Sequence, residues 1–382
     1  MNYFRPVPQK VIISVISDLV TDQRVQRSAM ALMEEGFDVI LVGRCLPDSK
    51  VMPERPYAVR RFRLLFYKGP LFYLNYNIRL FFYLLFSKVD ILFSNDLDTL
   101  PANYLISKLK GKPVLYDSHE YFTGVPELVE RPMVRNIWKW LEKKMIPGVA
   151  QMFTVNESIA SLYKTEYSVN VLVMRNVPVY EEWALLDKSQ LRRELGLPVA
   201  QHLYILQGSG INIQRGAEEA VEAMQYLPNG ILLIVGGGDV IDELKRRVKK
   251  LNLERNVIFK PKMDMSELRK ITKAADVGLT LDKDLSINYR FSLPNKLFDY
   301  IHAGIPILAS DLPEVKKIIQ QYQVGLITPN HDPKQLALLM QQMTSDKVQM
   351  EKWKLNASAA AKELNWQKEK MVLVEVFRQF KS

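Results

Sequence analysis

The sequence predicts an α/β fold made of two parallel-sheet domains in series. Short apolar runs rich in β-branched residues alternate with helical patterns along most of the 382 residues, and this alternation is typical of parallel α/β layers. The alternation restarts after a polar, proline-marked stretch at 176–201. A chain of this length also suits two domains of roughly 150–200 residues each. We therefore expect two Rossmann-like domains, joined by a linker at 176–201.

Seven strands are predicted in the first half of the chain. The first of them, VIISVIS, reads as a buried strand. A helix over 22–35 follows it and ends at Gly36, and Asp22 is the candidate N-cap of this helix. The seven strands are expected at 11–17, 37–43, 59–64, 90–93, 113–116, 151–155 and 171–174.

The second half repeats the alternation, with six predicted strands. The C-terminal tail at 353–380 is predicted to be helical and amphipathic. Its apolar face is expected to consist of Trp366, Met371, Val374 and Phe377. The strands are expected at 202–208, 230–238, 256–260, 276–281, 305–310 and 324–328, and helices at 216–224, 240–251 and 266–274.

Composition and processing signals favour a cytoplasmic protein. The N-terminus has only a short apolar run before Asp18 and no small-residue cleavage site, so we expect no signal peptide. Cys45 is the only cysteine and cannot form a disulfide within the chain, which favours a reducing compartment. With one cysteine and four scattered histidines, we expect no metal site of the zinc type.

The net charge of +10 favours a polyanionic partner, and the segment 55–88 is both basic and aromatic. It contains seven basic residues and no acidic one. Polar residues interrupt its apolar run, so no membrane-spanning helix is predicted. The segment either lies on an anionic membrane or buries its aromatic residues beneath a rim of arginines. Single-stranded nucleic acid also binds such residues, but no RNP, KH or zinc-finger pattern is present, and we expect no nucleic-acid partner.

The most informative stretch is LSINYRFSLPNKLFDYIHAGIPILASD, at 285–311. A helix is predicted to begin near Asn295 and Lys296, just after Ser292. The start of a helix offers unpaired amide groups and a positive dipole end, which suit a phosphate or diphosphate. Asp299, one turn inside, is placed to accept hydrogen bonds from ribose hydroxyls. The stretch therefore predicts a site for a nucleotide diphosphate.

A second candidate is QGSGINIQRG at 207–216, which follows a predicted strand and opens a helix. Glycines such as Gly210 allow close backbone approach to a ligand, and Arg215 offers a bidentate phosphate donor. The alternative is that Arg215 is an ordinary surface arginine. The GGGD turn at 236–239 has a similar position, but such turns often only tighten a β–α connection.

Polar residues also follow the predicted strands of the first half. His119 stands after the strand at 113–116 and is either a structural histidine or a hydrogen-bond donor in the active site, rather than a metal ligand. The group Asn95, Asp96 and Asp98 either binds hydroxyls or caps the next helix. The candidates for acceptor contacts are Asp18, Arg24, Asn95 and Asp96.

Together these segments resemble the retaining GT-B glycosyltransferases of family 4. The resemblance spans nearly the whole chain, through DQRV, YDSHEYF, NVP at 176–178, QRG at 214–216, IVGGG, VIFKPKM with SELRKITKAADVGL, and LPNKLFDYIHAGIPILAS. It implies two Rossmann-like domains that face each other across a cleft. The implied divisions are an acceptor-binding domain at 1–178, a nucleotide-sugar-binding domain at 179–360 and a C-terminal helix at 361–382 that returns to the N-terminal domain.

The resemblance also implies residue roles. Arg215 corresponds to the basic residue that binds the donor diphosphate, and Asp299 to the acidic residue that binds the donor ribose. Lys262 and Met263 belong to the segment beside the nucleobase, and His119 corresponds to the histidine near the donor sugar. The expected catalytic residues are His119, Arg215 and Lys296. The expected donor-binding residues are Gly210, Arg215, Lys262, Met263, Ser292, Asn295, Lys296, Leu297 and Asp299.

Two positions depart from the family pattern. Phe291 stands eight residues before the ribose-binding aspartate, where the family has a glutamate that contacts the sugar hydroxyls. Ser209 stands six residues before the diphosphate arginine, where many members have a second arginine. Lys296 is the candidate for the missing positive charge, and Arg290 or Ser292 for the missing sugar contacts.

The implied activity is transfer of a sugar from a nucleotide-diphosphate sugar to a hydroxyl of a glycan or lipid-linked acceptor, with retention. No metal ion or cofactor is expected, because positive groups stabilise the leaving diphosphate. We expect a cytoplasmic enzyme of cell-surface polysaccharide or lipid-glycan synthesis that contacts the inner face of the plasma membrane through 55–88. The alternatives are a degenerate GT-B subunit, which binds a nucleotide sugar or partner without turnover, and a GT-B nucleotide-sugar epimerase.

Overall fold

The computed structural model describes residues 8–182 and 187–381, which form two compact units. The first unit contains the described residues up to Asn176 and those from Glu369 onward, and the second contains those from Val177 to Lys368. Each unit is built around one β-sheet whose strands are all parallel. The α/β fold predicted from the sequence is therefore confirmed.

The sheet of the first unit has seven strands. Val11 of its first strand lies opposite Val39 on one side and Ile91 on the other, so the direction of strand succession reverses there. The strands are β1 (Lys10–Asp18), β2 (Asp38–Cys45), β3 (Ala58–Arg63), β4 (Ile91–Asn95), β5 (Val114–Ser118), β6 (Gln151–Thr154) and β7 (Val171–Val173). Their order across the sheet is β3-β2-β1-β4-β5-β6-β7.

Six helices connect these strands, and short 3₁₀ turns lie at Phe122–Gly124 and Ile146–Gly148. The predicted cap of the first helix is confirmed, because the Asp22 carboxylate accepts a hydrogen bond from the amide of Val25 at 3.3 Å. The helices are α1 (Gln23–Glu34), α2 (Pro70–Phe86), α3 (Leu100–Lys110), α4 (Pro126–Val129), α5 (Pro132–Met145) and α6 (Glu157–Tyr167).

The sheet of the second unit has six strands, in the order β10-β9-β8-β11-β12-β13. The strands are β8 (His202–Gly208), β9 (Gly230–Gly236), β10 (Val257–Lys260), β11 (Val277–Thr280), β12 (Ile307–Ser310) and β13 (Gly325–Thr328). The helices are α7 (Lys188–Glu194), α8 (Ala217–Ala223), α9 (Ile241–Lys250), α10 (Met265–Ala274), α11 (Ile287–Arg290), α12 (Asn295–Ala303), α13 (Pro313–Tyr322), α14 (Pro333–Ser345), α15 (Lys347–Ala361) and α16 (Trp366–Arg378), with a 3₁₀ turn at Met224–Tyr226.

Most of the stretch predicted as a linker is part of the second unit. Arg192 of α7 is buried and donates hydrogen bonds to the carbonyl of Ala274 (2.9 Å) and to the carboxylate of Asp276 (2.7 Å). The prediction of a linker over 176–201 is therefore wrong for its C-terminal half, because a buried arginine fastens that half to the sheet. Residues 183–186 of the stretch lie outside the described residues.

The C-terminal tail consists of two helices, α15 and α16, separated at 362–365. Within the first unit, the ring of Phe377 packs against those of Phe37 and Phe93, with centroids 5.8 and 5.4 Å apart. Met371 is 37% exposed, so its predicted place on the apolar face is wrong. The rotation of α16 that buries Phe377 turns Met371 toward solvent.

The segment 55–88 divides its aromatic residues between the core and the surface. Phe62 and Tyr76 are buried, whereas Phe82 and Phe86 of α2 are 51% and 83% exposed. The interpretation that the aromatic residues are buried is therefore correct for only part of the segment. No helix in the part of the chain that the structure describes is long and apolar enough to cross a membrane.

Glu142 of α5 is a fully buried carboxyl group in the first unit. It accepts hydrogen bonds from the Thr123 hydroxyl (3.1 Å) and the Tyr167 hydroxyl (2.8 Å). Its Oε1 has no hydrogen-bond partner among the described residues. Burial disfavours the charged form and raises the pKa of Glu142 to about 7. This carboxyl group therefore titrates near neutral pH.

We predict that Glu142 lowers the stability of the protein as the pH rises from its ordinary pKa of 4.5 to about 7. In this window the unfolded state has released the proton and the native state retains it, so the free energy of unfolding falls, by roughly 2–4 kcal/mol in total. The variant Glu142→Gln lacks this titration. Thermal unfolding midpoints at about pH 5 and about pH 8 should show the wild type losing stability relative to the variant. A difference between the two proteins that is the same at both pH values contradicts the prediction.

Candidate functional site

Several predicted donor-binding residues lie near the carboxyl ends of β8 and β11 in the second unit. The strand order reverses between these two neighbours, and open α/β sheets bind ligands at such a point. The loop after β8 carries Arg215, and the loop after β11 leads through α11 to the start of α12 at Asn295. The predicted helix start is confirmed, and the short α11 before it is an additional element.

Asp282, which the sequence did not single out, lies between the two predicted phosphate-binding cations. Its side chain is 1% exposed. Arg215 donates from Nη1 to Oδ1 of Asp282 at 3.0 Å, and Lys296 Nζ lies 3.1 Å from Oδ2. Lys296 is itself buried. The structure therefore brings Arg215 and Lys296 together around one carboxylate, and we call these three residues the Asp282 cluster.

Backbone contacts hold the loop after β11 against the turn that carries Arg215. The amide of Lys283 donates a hydrogen bond to the carbonyl of Gln214 at 3.0 Å. Gly216 has a φ of +72°, and a Cβ at this position would lie 2.4 Å from Cβ of Leu281. Only glycine permits both the left-handed backbone and this close approach.

The Asp282 cluster combines two positive charges with one negative charge. Burial opposes ionisation of Asp282, but Lys296 and Arg215 outweigh it and lower the pKa of this carboxyl group. Each cation uses only part of its donors for the carboxylate. Arg215 Nε is buried without a hydrogen-bond partner in the described part of the chain, and an ammonium group has three N–H donors. The remaining donors can bind an anion while Asp282 keeps both cations in place.

The other donor-binding residues predicted around the start of α12 differ in exposure and in hydrogen bonding. Ser292 Oγ is buried and has no hydrogen-bond partner within residues 8–182 and 187–381. Asn295 is exposed at the first helical position. The side chain of Leu297 is buried and its amide donates to the carbonyl of Pro294 at 3.0 Å. Asp299 accepts a hydrogen bond from Gln207 Nε2 at 3.0 Å.

The GGGD turn has a structural function in this unit. The amide of Ile211 donates to the carbonyl of Gly237 at 2.7 Å, which holds the turn against the loop that contains Gly210. Lys262 is exposed, and its side chain lies beside Gly237, 3.1 Å from where a Cβ would stand. Met263 packs against the core. The predicted nucleobase segment is therefore next to the glycine turn.

Arg24, Asp117 and His119 form a chain of charged side chains at the carboxyl ends of the first unit's strands. Arg24 is buried and donates to both carboxylate oxygens of Asp117 (2.8 and 2.7 Å) and to the carbonyl of Met174 (2.9 Å). His119 lies with Nε2 3.4 Å from Asp117 and with Nδ1 3.1 Å from Asp96. The sequence suggests Arg24 for acceptor contacts. In the structure this arginine holds Asp117 in place, which is a structural function.

The carboxylates around His119 favour its charged form. Burial opposes that form, but Asp96 and Asp117 raise the pKa of His119 well above its ordinary value. Asp98 is buried, and burial together with Asp96 raises the pKa of its carboxyl group well above the usual range. The sequence offered helix capping as one alternative for Asn95, Asp96 and Asp98. This alternative is wrong, because the N-cap of α3 is Thr99. No group of His, Cys, Asp and Glu side chains within the described ranges is arranged to hold a metal ion.

The remaining acceptor-side candidates differ in exposure. Asn95 is fully buried and donates to the carbonyl of Ser14 at 3.2 Å. Asp18 lies at the end of β1 and accepts a hydrogen bond from the Ser49 hydroxyl at 2.5 Å. Asp96 is 22% exposed, with a φ of 58° that aspartate tolerates better than most residues. Asp18 and Asp96 are therefore the candidates within reach of solvent.

Comparison with known families identifies the class of protein. The family described as Glycosyltransferase Family 4 matches residues 23–176, and the family described as Glycosyl transferases group 1 matches residues 187–360. The two matches together cover most of both units. The chain belongs to the group 1 glycosyltransferases with the GT-B fold.

Individual relatives are distant. D-inositol 3-phosphate glycosyltransferase of Xylanimonas cellulosilytica is 23% identical over 197 residues, which are 50% of this chain and 46% of the relative. The chain thus spans about half the length of this relative. Sucrose-phosphate synthase from Thermosynechococcus elongatus has a TM-score of 0.80 and 18% identity, over 97% of this chain and 98% of that chain. Anabaena HepE in complex with UDP-glucose has a TM-score of 0.75 and 14% identity, over 97% and 99%. At such identities the structures show the fold alone.

We predict that Asp282→Asn destabilises the protein by about 3 kcal/mol, because it leaves the buried ammonium of Lys296 without its counter-ion. The thermal unfolding midpoint should fall by several degrees. Asp284→Asn is the matched control, since Asp284 pairs with Arg290 at the surface and exposed pairs contribute at most about 1 kcal/mol. Equal midpoints for the two variants contradict the prediction.

Proposed function

We propose that this glycosyltransferase takes its sugar from a nucleotide-diphosphate sugar and transfers it, with retention, to a hydroxyl of a glycan or lipid-linked acceptor. The observation that carries the proposal is the Asp282 cluster, which holds Arg215 and Lys296 near the start of α12. Two cations with donors to spare suit a diphosphate. The structure of the Anabaena neighbour in complex with UDP-glucose supports the same donor class.

In this proposal Arg215 and Lys296 bind the diphosphate together with the first amides of α12. Negative charge develops on the diphosphate as its bond to the anomeric carbon breaks. The two cations stabilise this charge, as a metal ion does in other enzymes, so no metal ion or cofactor is required. The acceptor hydroxyl attacks on the side of the leaving group, and its proton passes to the departing phosphate oxygen. This course of reaction gives retention.

We place the acceptor at the carboxyl edge of the first unit's sheet. Asp96 is partly exposed there and lies beside His119, whose charged form the neighbouring carboxylates favour. Asp18 is a second partly exposed carboxylate at the end of β1. Carboxylates accept hydrogen bonds from sugar hydroxyls, and Asp96 is held by the amide of His119 at 2.9 Å. These contacts favour a hydroxyl-rich acceptor.

The exposed face of α2 favours a lipid-linked acceptor. Leu71, Leu74, Ile78, Phe82 and Phe86 are between 47% and 83% exposed and recur at helical spacing. The opposite face of α2 is buried in the unit. An apolar stripe of this length on a helix surface is typical of contact with a membrane or another protein.

Two further helices of the first unit, α3 and α5, also expose apolar side chains. Helix α3 packs against α2 and α5 and exposes Leu105 and Leu109, at 51% and 66%. Helix α5 exposes Met133, Ile137 and Trp140, at 82%, 60% and 59%. The three helices contain seven basic residues and a single acidic residue, Glu142, which is buried. Exposed apolar side chains among positive charges fit an anionic bilayer.

We therefore place the enzyme in the cytoplasm, on the inner face of the plasma membrane, in the synthesis of a cell-surface polysaccharide or lipid glycan. The segment 55–88, with α3 and α5, is the proposed membrane contact. The name of the Xylanimonas relative contains a phosphorylated polyol, D-inositol 3-phosphate. If the apolar face does not bind lipid, we expect an acceptor of that class.

We predict that Arg215→Ala lowers the rate of sugar transfer or donor hydrolysis by on the order of 10²–10³-fold, because it removes one positive charge from the leaving diphosphate. Release of the nucleotide from UDP-, GDP- and ADP-sugars measures the rate. Arg193→Ala is the control, since Arg193 is 62% exposed in the same unit. Wild-type turnover that Arg215→Ala leaves unchanged argues against the proposed site.

The same assay separates the two alternative functions. A degenerate subunit binds one class of nucleotide sugar, seen as an increase in thermal unfolding midpoint, without any turnover of it. An epimerase converts the nucleotide sugar to its epimer without an added acceptor. Either result overturns the proposed transfer reaction.

We predict that the protein floats with phosphatidylcholine vesicles that contain phosphatidylglycerol, and much less with phosphatidylcholine alone, because both apolar burial and basic charge contribute. The double variant Leu74→Glu/Ile78→Glu should lose binding. Leu338→Glu/Leu355→Glu is the matched control, since both leucines are exposed in the second unit, at 61% and 71%. Flotation of the α2 variant at the wild-type level excludes α2 as the contact.

A further inference from the structure

The buried amide side chain of Gln207 joins three elements of the second unit. Gln207 lies near the end of β8 and is 2% exposed. Its Nε2 donates to Asp299 of α12 at 3.0 Å, and its Oε1 accepts from the hydroxyl of Thr272 of α10 at 2.7 Å. Both polar atoms of the amide thus have partners, and the side chain has one orientation in which both bonds form.

The backbone around Gln207 is also held in place. β8 pairs with β11 only through Tyr204 and Ile205, so the last residues of β8 have no partner strand on that side. The hydroxyl of Tyr300 fills this gap. It accepts from the amide of Gln207 at 3.3 Å, and its single O–H lies within hydrogen-bond distance of the carbonyls of Ile205 (3.2 Å) and Leu279 (3.1 Å). Gln207 is therefore fixed at both its backbone and its side chain.

Asp299 differs from Gln207 in being partly exposed. Gln207, Thr272 and Asp299 all line a shallow groove between α10 and α12, whose cavity volume is about 20 Å³. The hydrogen bond from Gln207 engages one carboxylate oxygen of Asp299. The bond constrains the orientation of the group, and a carboxylate has about four acceptor positions, so a ligand can share it with Gln207.

We propose that Gln207 is a positioning residue that aims Asp299 at the ribose of the nucleotide donor and so determines the preference for ribose over 2′-deoxyribose. This inference rests on the proposed function. The side chain of aspartate is short, so Asp299 reaches the hydroxyls of a bound ribose from few orientations. Gln207 selects one orientation from the buried side, without touching the ligand.

The test compares the affinities of ribonucleoside diphosphates with those of their 2′-deoxy counterparts, by titration with UDP and dUDP, GDP and dGDP, and ADP and dADP. We expect the wild type to prefer the ribose form about tenfold or more, the range of a hydrogen bond to a charged group. In Gln207→Met, a variant of similar length without the amide, this ratio should approach one. The affinity for the deoxy form should stay within about threefold of wild type, because positioning of the diphosphate does not depend on Gln207.

Two further variants complete the test. Gln207→Met leaves Thr272 with a hydrogen bond to the carbonyl of Leu268 at 2.8 Å, so no buried hydroxyl loses its only partner. Gln207→Asn, which keeps an amide but is too short to reach both partners, should show the same loss if Gln207→Met does not fold. Tyr204→Phe is the matched control. Tyr204 lies on β8, as Gln207 does, and the variant removes its buried hydrogen bond to the carbonyl of Met340. This variant should keep the wild-type ratio.

The outcomes separate the inference from the proposed function. A wild type that binds no nucleoside diphosphate overturns both. A wild type that binds diphosphates with a ratio of one, or a Gln207 variant that keeps the wild-type ratio, overturns only the role of Gln207. Loss of the ratio in the Gln207 variants, with binding of the deoxy form retained, supports it.

Discussion

The ion pairs of Asp282 are the interaction on which the candidate site of the second unit depends. A lysine as deeply buried as Lys296 is costly without a counter-ion, and Asp282 adds a hydrogen bond to Arg215, whose guanidinium also packs over the ring of Tyr289. Asp282, just after β11, makes both contacts, because it lies between the turn that carries Arg215 and the start of α12 that carries Lys296. The cluster keeps an excess of positive charge, so its charge state suits an anion and its geometry is set before any ligand arrives.

The first unit follows the same physical principle with different residues. Asp117 is fully buried and lies between Arg24 and His119, as Asp282 lies between Arg215 and Lys296. In both units a buried carboxylate near the carboxyl end of a central strand organises the side chains around it. The difference lies in exposure, because Arg24 is only 4% exposed, whereas Arg215 of the Asp282 cluster is 32% exposed. The first unit therefore presents its chemistry through His119 and Asp96 instead.

Thirteen strands and the start of α12 could be predicted from local sequence patterns, because a buried strand and a helix start are local features. Arg215 and Lys296 were predicted from their positions beside such features. Asp282 and Gln207 were missed, since their roles arise from contacts between segments distant in sequence, and nothing in the residues next to them indicates a partner. The burial of Arg24 was missed for the same reason. The break in the tail at 362–365 was missed because no glycine or proline marks it in the sequence.

The Asp282 cluster is the proposed binding site for the diphosphate of a nucleotide sugar. The most direct measurement is a crystal structure of the protein with a nucleoside diphosphate bound, chosen from those that raise its thermal unfolding midpoint. We expect diphosphate oxygens within hydrogen-bond distance of Arg215, Lys296 and the first amides of α12, with both ion pairs to Asp282 still in place. A diphosphate bound elsewhere, or one that contacts neither cation, would contradict this expectation.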